Sequence, residues 1–225
     1  MTSLRVSVET TLPRTPLPPN SQRKPIRTKR LVIRPMQECD LQAFRSLRAQ
    51  PEAMMGTKQG RPDHNTDESK SALSAFLPPN DVQSFLFGAF LASTGEFIGE
   101  GGVHTLESSI CGWPEIGYKL KKEFWGQGYG TEFLNGVLGA WWSLPRSTVG
   151  LEVYPSSPTS DGVDGGEVVE HVFANTDVGN IPSQKLLAKL GFTQFIQWTE
   201  PDTQEHRLGQ PVTLIGYQLP RKAGP

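Results

Sequence analysis

Apolar residues along this chain follow two rhythms, and glycine and proline mark where one gives way to the other. Residues 28–35 (TKRLVIRP) alternate, turning Leu31 and Ile33 to one side, and predict a first strand ending at proline. Asp40 suits a helix N-cap, with Leu41, Phe44 and Leu47 following on one face. Residues 53–65 read as loop. Asn65 and Thr66 offer a second cap ahead of Leu73, Phe76 and Leu77, a run ended by Pro78-Pro79. Residues 84–91 (SFLFGAFL) predict a strand, Thr94-Gly95 a turn, and residues 97–105 (FIGEGGVHT) a strand pairing back. Residues 115–120 predict a central strand and residues 131–142 a helix with Phe133, Leu134, Val137, Leu138 and Trp141 on its apolar face. Further on, residues 148–154 and 168–174 are strand-like. Ile181-Pro182 opens a helix with Leu186, Leu187 and Leu190 inward and Gly191 as its cap, and residues 192–198 and 212–219 predict a closing hairpin.

Two segments fall outside these rhythms. Residues 1–26 contain TLPRTPLPPNSQRK and predict a disordered tail; the prolines break the amphipathic helix that a mitochondrial transit peptide needs. Residues 155–167 (PSSPTSDGVDGGE) predict a flexible, turn-rich insertion. The remainder, 27–221, reads as a single domain, with neither a repeat nor a second domain.

Between the central strand and its helix lies Trp125-Gly126-Gln127-Gly128-Tyr129-Gly130. A glycine turn feeding a helix N-terminus is an anion site: the backbone approaches closely, and the first N–H groups of the helix lack internal partners and carry the positive end of its dipole. A P-loop needs Lys before its Ser or Thr, and Gly130 stands before Thr131. A dinucleotide fingerprint could use Gly126, Gly128 and a distant Glu152, but Thr131 takes the third glycine position and no βαβ unit precedes it. The loop resembles the pyrophosphate loop of the GNAT acyltransferases, Gln/Arg-x-x-Gly-x-Gly/Ala, with Trp125 at the first position. Residues 115–118 (EIGY) with 124–132 (FWGQGYGTE), and Asn180-Ile181-Pro182-Ser183 with Leu190-Gly191-Phe192, resemble the branch that acetylates N-terminal amines of ribosomal proteins.

That resemblance implies an α/β fold in which a mixed, mostly antiparallel sheet is flanked by helices and two central strands splay around acetyl-CoA. It implies cofactor contacts from Tyr118, Leu120, Gly126, Gln127, Gly128, Tyr129, Gly130, Thr131, Asn180 and Ser183, with Asn180 on the pantetheine amide. A backbone N–H near Leu120 would face the oxyanion. Ser183 would return a proton to the leaving thiolate; the position from which many relatives supply a tyrosine acid is here Leu187. Direct attack requires a neutral amine, so a base must act. Glu115 on the central strand is the first choice, Glu100 on the neighbouring strand the second, and solvent the third. The acceptor is a protein N-terminus or a small amine. A non-catalytic acyl-CoA sensor and a plain nucleotide binder are the rival readings. Substrate choice falls to the first two helices and residues 199–210, where Glu200, Asp202 and Glu205 could meet a cation.

Composition narrows this further. In 225 residues, 22 Lys and Arg meet 23 Asp and Glu, giving a net charge of −1 and no basic field for nucleic acid. Apolar runs are too short to span a bilayer. Cys39 and Cys111 form no CxxC pair, and His64, His104, His171 and His206 lack metal-ligand spacing. The expectation is a metal-free, disulfide-free cytoplasmic protein, monomer or homodimer, without membrane or nucleic-acid partners.

Overall fold

The computed structural model describes residues 5–156 and 167–222. Its strands are β1 (Val6–Pro13), β2 (Ile26–Arg27), β3 (Leu31–Arg34), β4 (Phe85–Leu91), β5 (Phe97–Thr105), β6 (Glu115–Leu120), β7 (Arg146–Val153), β8 (Glu167–Val168), β9 (His171–Asp177), β10 (Thr193–Pro201) and β11 (Pro211–Pro220). Its α-helices are α1 (Leu41–Arg48), α2 (Pro51–Met54), α3 (Thr66–Leu73), α4 (Tyr129–Trp142) and α5 (Ile181–Lys189). Eight strands form one sheet in the order β10-β11-β9-β6-β5-β4-β3-β2. All its pairings are antiparallel except β6 with β9. This is the mixed, mostly antiparallel α/β architecture that the motifs implied.

Alternation along β4 explains the layering. Phe85, Phe87 and Ala89 join Leu31, Ile33, Phe133, Val137 and Trp141 in the core beneath α4. Leu86 and Phe90 join Phe44, Leu47, Leu73 and Phe97 beneath α1 and α3 on the other face. Helices therefore cover both sides of the sheet.

Several local expectations change. The segment read as a tail carries β1, which runs between β7 and β8 in a separate three-stranded sheet. Its proline-rich continuation masked a real alternation: Thr10 is fully buried and donates its hydroxyl to Val168 O at 2.6 Å. Arg23, also in that segment, is buried; it donates to Ser84 O (2.7 Å) and stacks 4.9 Å from the Phe85 ring. Desolvation lowers its pKa to about 10, the nearby Asp81 partly opposing. The strand-like run 148–154 is β7, and it pairs with β1 rather than joining the main sheet. Asp40 stands at the N-cap position of α1, but its side chain makes no capping hydrogen bond there. Its carboxylate accepts from the Gln37 N–H (2.8 Å) and from Arg34 (2.7 Å), closing the preceding 3-10 turn Glu38–Asp40. Asn65 caps α3 as expected, accepting from the Glu68 N–H at 3.0 Å. Most of the turn-rich insertion, 157–166, lies outside the described residues.

A buried ion pair ties the end of α4 to the strands behind it. Arg146 Nε lies 2.8 Å from Glu170 Oε2, and the Trp141 indole N–H donates to Glu170 Oε1 at 3.2 Å. Burial pushes the Glu170 carboxyl up despite the Arg146 charge beside it.

Candidate active site

The loop before α4 is held from three sides. Gly128 is the N-cap of α4 at φ 80°, a left-handed conformation that suits glycine. The first helical bond runs from the Glu132 N–H to Gly128 O at 3.1 Å, so the N–H groups of Tyr129, Gly130 and Thr131 have no partner within the helix. The Trp125 indole donates to Leu120 O at 2.8 Å, pinning the loop to the end of β6, which accounts for Trp at that position. Arg30, just before β3, completes the frame. It donates from Nη1 to Gln127 O (2.9 Å), pairs through Nε with Glu132 Oε2 (2.6 Å), and lies 4.1 Å over the Tyr129 ring. Burial alone would push the Glu132 carboxyl up. Hydrogen bonds from Thr28 and Arg30 outweigh it and hold the group below its ordinary range. The loop thus offers unpaired N–H groups and a helix dipole, both favouring an anion, while the Arg30 charge is balanced by Glu132.

From this loop a wedge opens. β6 and β9 pair only at Glu115 with Phe173, where the Phe173 N–H donates to Pro114 O at 2.8 Å. Both strands run on, β6 to Leu120 and β9 to Asp177, with no further pairing among the described residues. The Lys121 N–H donates across to Ile98 O on β5 at 2.9 Å. Alternation therefore turns the N–H groups of Tyr118 and Leu120 the other way, into the wedge. Across it stands α5. Asn180 caps that helix, its Oδ1 accepting from the Ser183 N–H at 3.2 Å. Ser183 Oγ meets Tyr118 Oη at 2.7 Å. Burial pushes the Tyr118 phenol up to about 12, with the Ser183 contact partly offsetting this.

At the closed end, the sheet face toward α1 and α2 gathers polar groups. Glu115 Oε2 accepts from Ser108 Oγ (2.8 Å) and Oε1 from Asn175 Nδ2 (2.7 Å). His104 Nε2 lies 3.6 Å from Glu115 Oε1, and its Nδ1 lies 2.9 Å from Thr105 Oγ1. Its ring rests against Gly117, where a Cβ would stand 3.0 Å from it. Burial lowers the imidazole below its ordinary 6.5, opposing the pull of Glu115 and Glu100; Lys58 and Lys119 lower it further. Glu100 is buried and ion-paired with Lys119.

Two segments wall this face. Gln204 Nε2 donates to Met55 O (2.6 Å) and Thr57 O (2.9 Å), and Arg61 pairs with Glu205. The loop after α2 and the β10–β11 loop are thus joined. The acidic run expected to meet a cation is engaged within the protein. Glu205 binds Arg61, buried Asp202 lies 2.9 Å from Arg207, and Glu200 accepts from the Trp198 indole at 2.9 Å.

Of the expected cofactor residues, Tyr118, Leu120, Gly126, Gln127, Gly128, Tyr129, Thr131, Asn180 and Ser183 line the loop and the wedge. Gly130 adds its free N–H to the loop and does a second thing: it is buried, and a Cβ there would stand 2.5 Å from Leu186 Cδ1, so it also allows the approach of α4 to α5. Four residues escaped sequence reasoning. Arg30, Ser108 and Asn175 come from segments distant in sequence, and none carries a local signal. His104 was weighed only as a metal ligand; pairing residues 97–105 against 115–120 would have set it beside Glu115. Among the described residues no group of three or more His, Cys, Asp or Glu is placed to hold a metal, Cys39 and Cys111 are both free, and no helix is long and apolar enough to cross a membrane.

A glycine turn feeding a helix N-terminus beside a split, mostly antiparallel sheet defines the class of α/β fold. A family model described as the acetyltransferase (GNAT) domain matches residues 30–193, and this chain belongs to that family. Solved structures share the fold. A GNAT-family acetyltransferase from Bacillus anthracis superposes with a TM-score of 0.63 at 14% identity, over 88% of this chain and 98% of that one. A protein assigned as a ribosomal-protein-serine acetyltransferase from Vibrio cholerae gives 0.60 at 15% identity, over 88% and 98%. Spermidine N-acetyltransferase from Vibrio cholerae, solved with CoA and spermine, gives 0.61 at 15% identity, over 86% and 96%.

Proposed function

We propose that this protein moves the acetyl group of acetyl-CoA directly to an acceptor amine, either a protein N-terminus or a small amine. The observation that carries the reading is the wedge between β6 and β9, which runs from the phosphate-favouring loop at Gly128 to the polar cluster at Glu115. A diphosphate would take the loop N–H groups, with Arg30 nearby. The pantetheine arm would lie along the exposed edge of β6 with Asn180 against its amide. The thioester oxygen would face a β6 N–H, Tyr118 or Leu120, which supplies oxyanion stabilisation. An ammonium has no lone pair, so the acceptor must first lose a proton, and we assign that step to the Glu115 end of the wedge. Ser183, with Tyr118 behind it, returns a proton to the departing thiolate. Glu100 is set aside as a base because Lys119 neutralises it.

The test is thiol release from acetyl-CoA by the full-length protein over a panel of peptides with free N-termini and of small amines, with mass detection of the acetylated product. Release with at least one acceptor supports the reading. CoA binding without thioester consumption would make the protein an acyl-CoA sensor, and competition by ATP or NAD for the same site would make it a nucleotide binder.

A further inference from the structure

Glu115 is poorly disposed to hold a proton itself. Both its oxygens are already engaged, accepting from Ser108 at 2.8 Å and from Asn175 at 2.7 Å, so neither is free to meet an acceptor amine. It is also largely enclosed, its side chain 16% exposed, whereas His104 is 40% exposed. The imidazole therefore stands between the carboxylate and solvent, at the face walled by the loops around Met55 and Gln204. Gly117 gives the ring room: a Cβ there would stand 3.0 Å from His104 Cδ2, tight enough that the ring would have to shift. Donation of Nδ1–H to Thr105 Oγ1 would leave the Nε2 lone pair on the side of Glu115.

We propose that His104 is the group that takes the acceptor's proton, and that Glu115 supports it by stabilising the imidazolium that results. This rests on the acetyltransferase reading. The acceptor ammonium passes one proton to His104 Nε2 and becomes a neutral amine. That amine attacks the thioester; the C–N bond forms, the C–S bond breaks, and the second amine proton leaves with the thiol through Ser183. The imidazolium, stabilised by the Glu115 carboxylate, gives its Nε2 proton to solvent once the acetylated product has left. The charged groups that act on the ring are Glu115 and Lys119 on β6, Glu100 on β5 and Lys58 from the loop after α2. Two anions and two cations leave it near electrical balance. Burial then keeps it neutral and able to accept at pH 7.

The experiment is the pH profile of kcat/KM, with acetyl-CoA and a short peptide bearing a free N-terminal alanine, or a simple aliphatic amine if the peptide is not acetylated. Wild type should lose activity on the acid side with an imidazole-type limb at or below 6.5. His104→Gln should lower kcat/KM at pH 7 by about a hundredfold or more while CoA affinity is unchanged. Its remaining limb should follow the acceptor's own ionisation. Glu115→Gln should keep an imidazole limb but move it to lower pH, because the anion that favours the imidazolium is gone. His104→Ala should be partly rescued by added imidazole, whereas loss from misfolding would not be. An active wild type whose His104→Gln variant stays within about twofold, or whose limb vanishes in Glu115→Gln alone, overturns the proposal and leaves the acetyltransferase reading standing. A wild type that acetylates no amine overturns both.

Discussion

The hydroxyls of Tyr118 on β6 and Ser183 on α5 stand 2.7 Å apart across the wedge, although 65 residues separate them in sequence. Leu187, at the position where the resemblance implies a tyrosine acid, is buried and has no proton to give. The strand supplies a phenol instead. With its pKa pushed up to about 12 by burial, Tyr118 keeps its proton at neutral pH and can replace the one Ser183 gives away. Ser183→Ala should therefore lower kcat with acetyl-CoA by about a hundredfold at most, at the weak end of general-acid effects because a thiolate leaves readily. Tyr118→Phe should cost less, since Ser183 can also draw on solvent. Steady-state kinetics with little change in KM would support this; an unchanged kcat in Ser183→Ala would remove the acid role.

Gly128 should be irreplaceable for cofactor binding because of backbone shape rather than space. A Cβ there would meet only Arg30 Nη2, at 3.5 Å, an ordinary contact. The φ of 80°, however, costs a β-branched residue about 1–3 kcal/mol. Relief of that strain would turn the α4 N–H groups off target. Gly128→Val should abolish CoA binding in calorimetry while the protein remains folded by circular dichroism. Unaltered affinity would contradict the phosphate site.

Acid should weaken the brace between Arg30 and Glu132. The folded-state pKa of Glu132 is depressed, so its contribution to stability is complete above the ordinary value of 4.5 and is lost as pH falls through the folded value. Glu132→Gln should lower Tm at pH 7, and the gap to wild type should narrow as pH drops below 4.5. Thermal melts across that range decide it, and a gap independent of pH would show that the charge contributes nothing.

Deleting residues 1–14 should destabilise the fold. The cut removes the middle strand of the small sheet and uncovers Val153, Val168 and Trp113, which are buried beneath it. Exposing two or three such side chains costs at least about 3 kcal/mol. For a chain of this size, that lowers Tm by roughly 6 °C or more. CoA affinity should persist, because the wedge belongs to the other sheet. An unchanged Tm would return this segment to the status of a tail.

Local chemistry was legible without a fold. Residues 97–105 and 115–120 are strands with the bounds read from the sequence, because the Thr94-Gly95 turn and the connection 106–113 set their ends locally. Trp125-Gly126-Gln127-Gly128 announced a turn into a helix because left-handed backbone at Gly126 and Gly128 suits glycine. Asn180 and Ser183 were readable as a cap and a first-turn residue because helix termini impose fixed needs on their neighbours.

Sequence alone determined that this chain builds a glycine turn into a helix and a capped helix, since those depend on contacts within a few residues. Tertiary structure decided which side chains complete them. Arg30 reaches Gln127 across 97 positions, Asn175 reaches Glu115 across 60, and β1 finds β7 from the far end of the chain. Hydrogen bonds of this kind leave no periodic trace, because a polar residue that will be bonded to a distant partner looks in sequence like one facing water. His104 makes the point most sharply. Nothing local marks it, and only the antiparallel pairing of β5 with β6, together with the bare backbone of Gly117, lays its ring beside the carboxylate of Glu115.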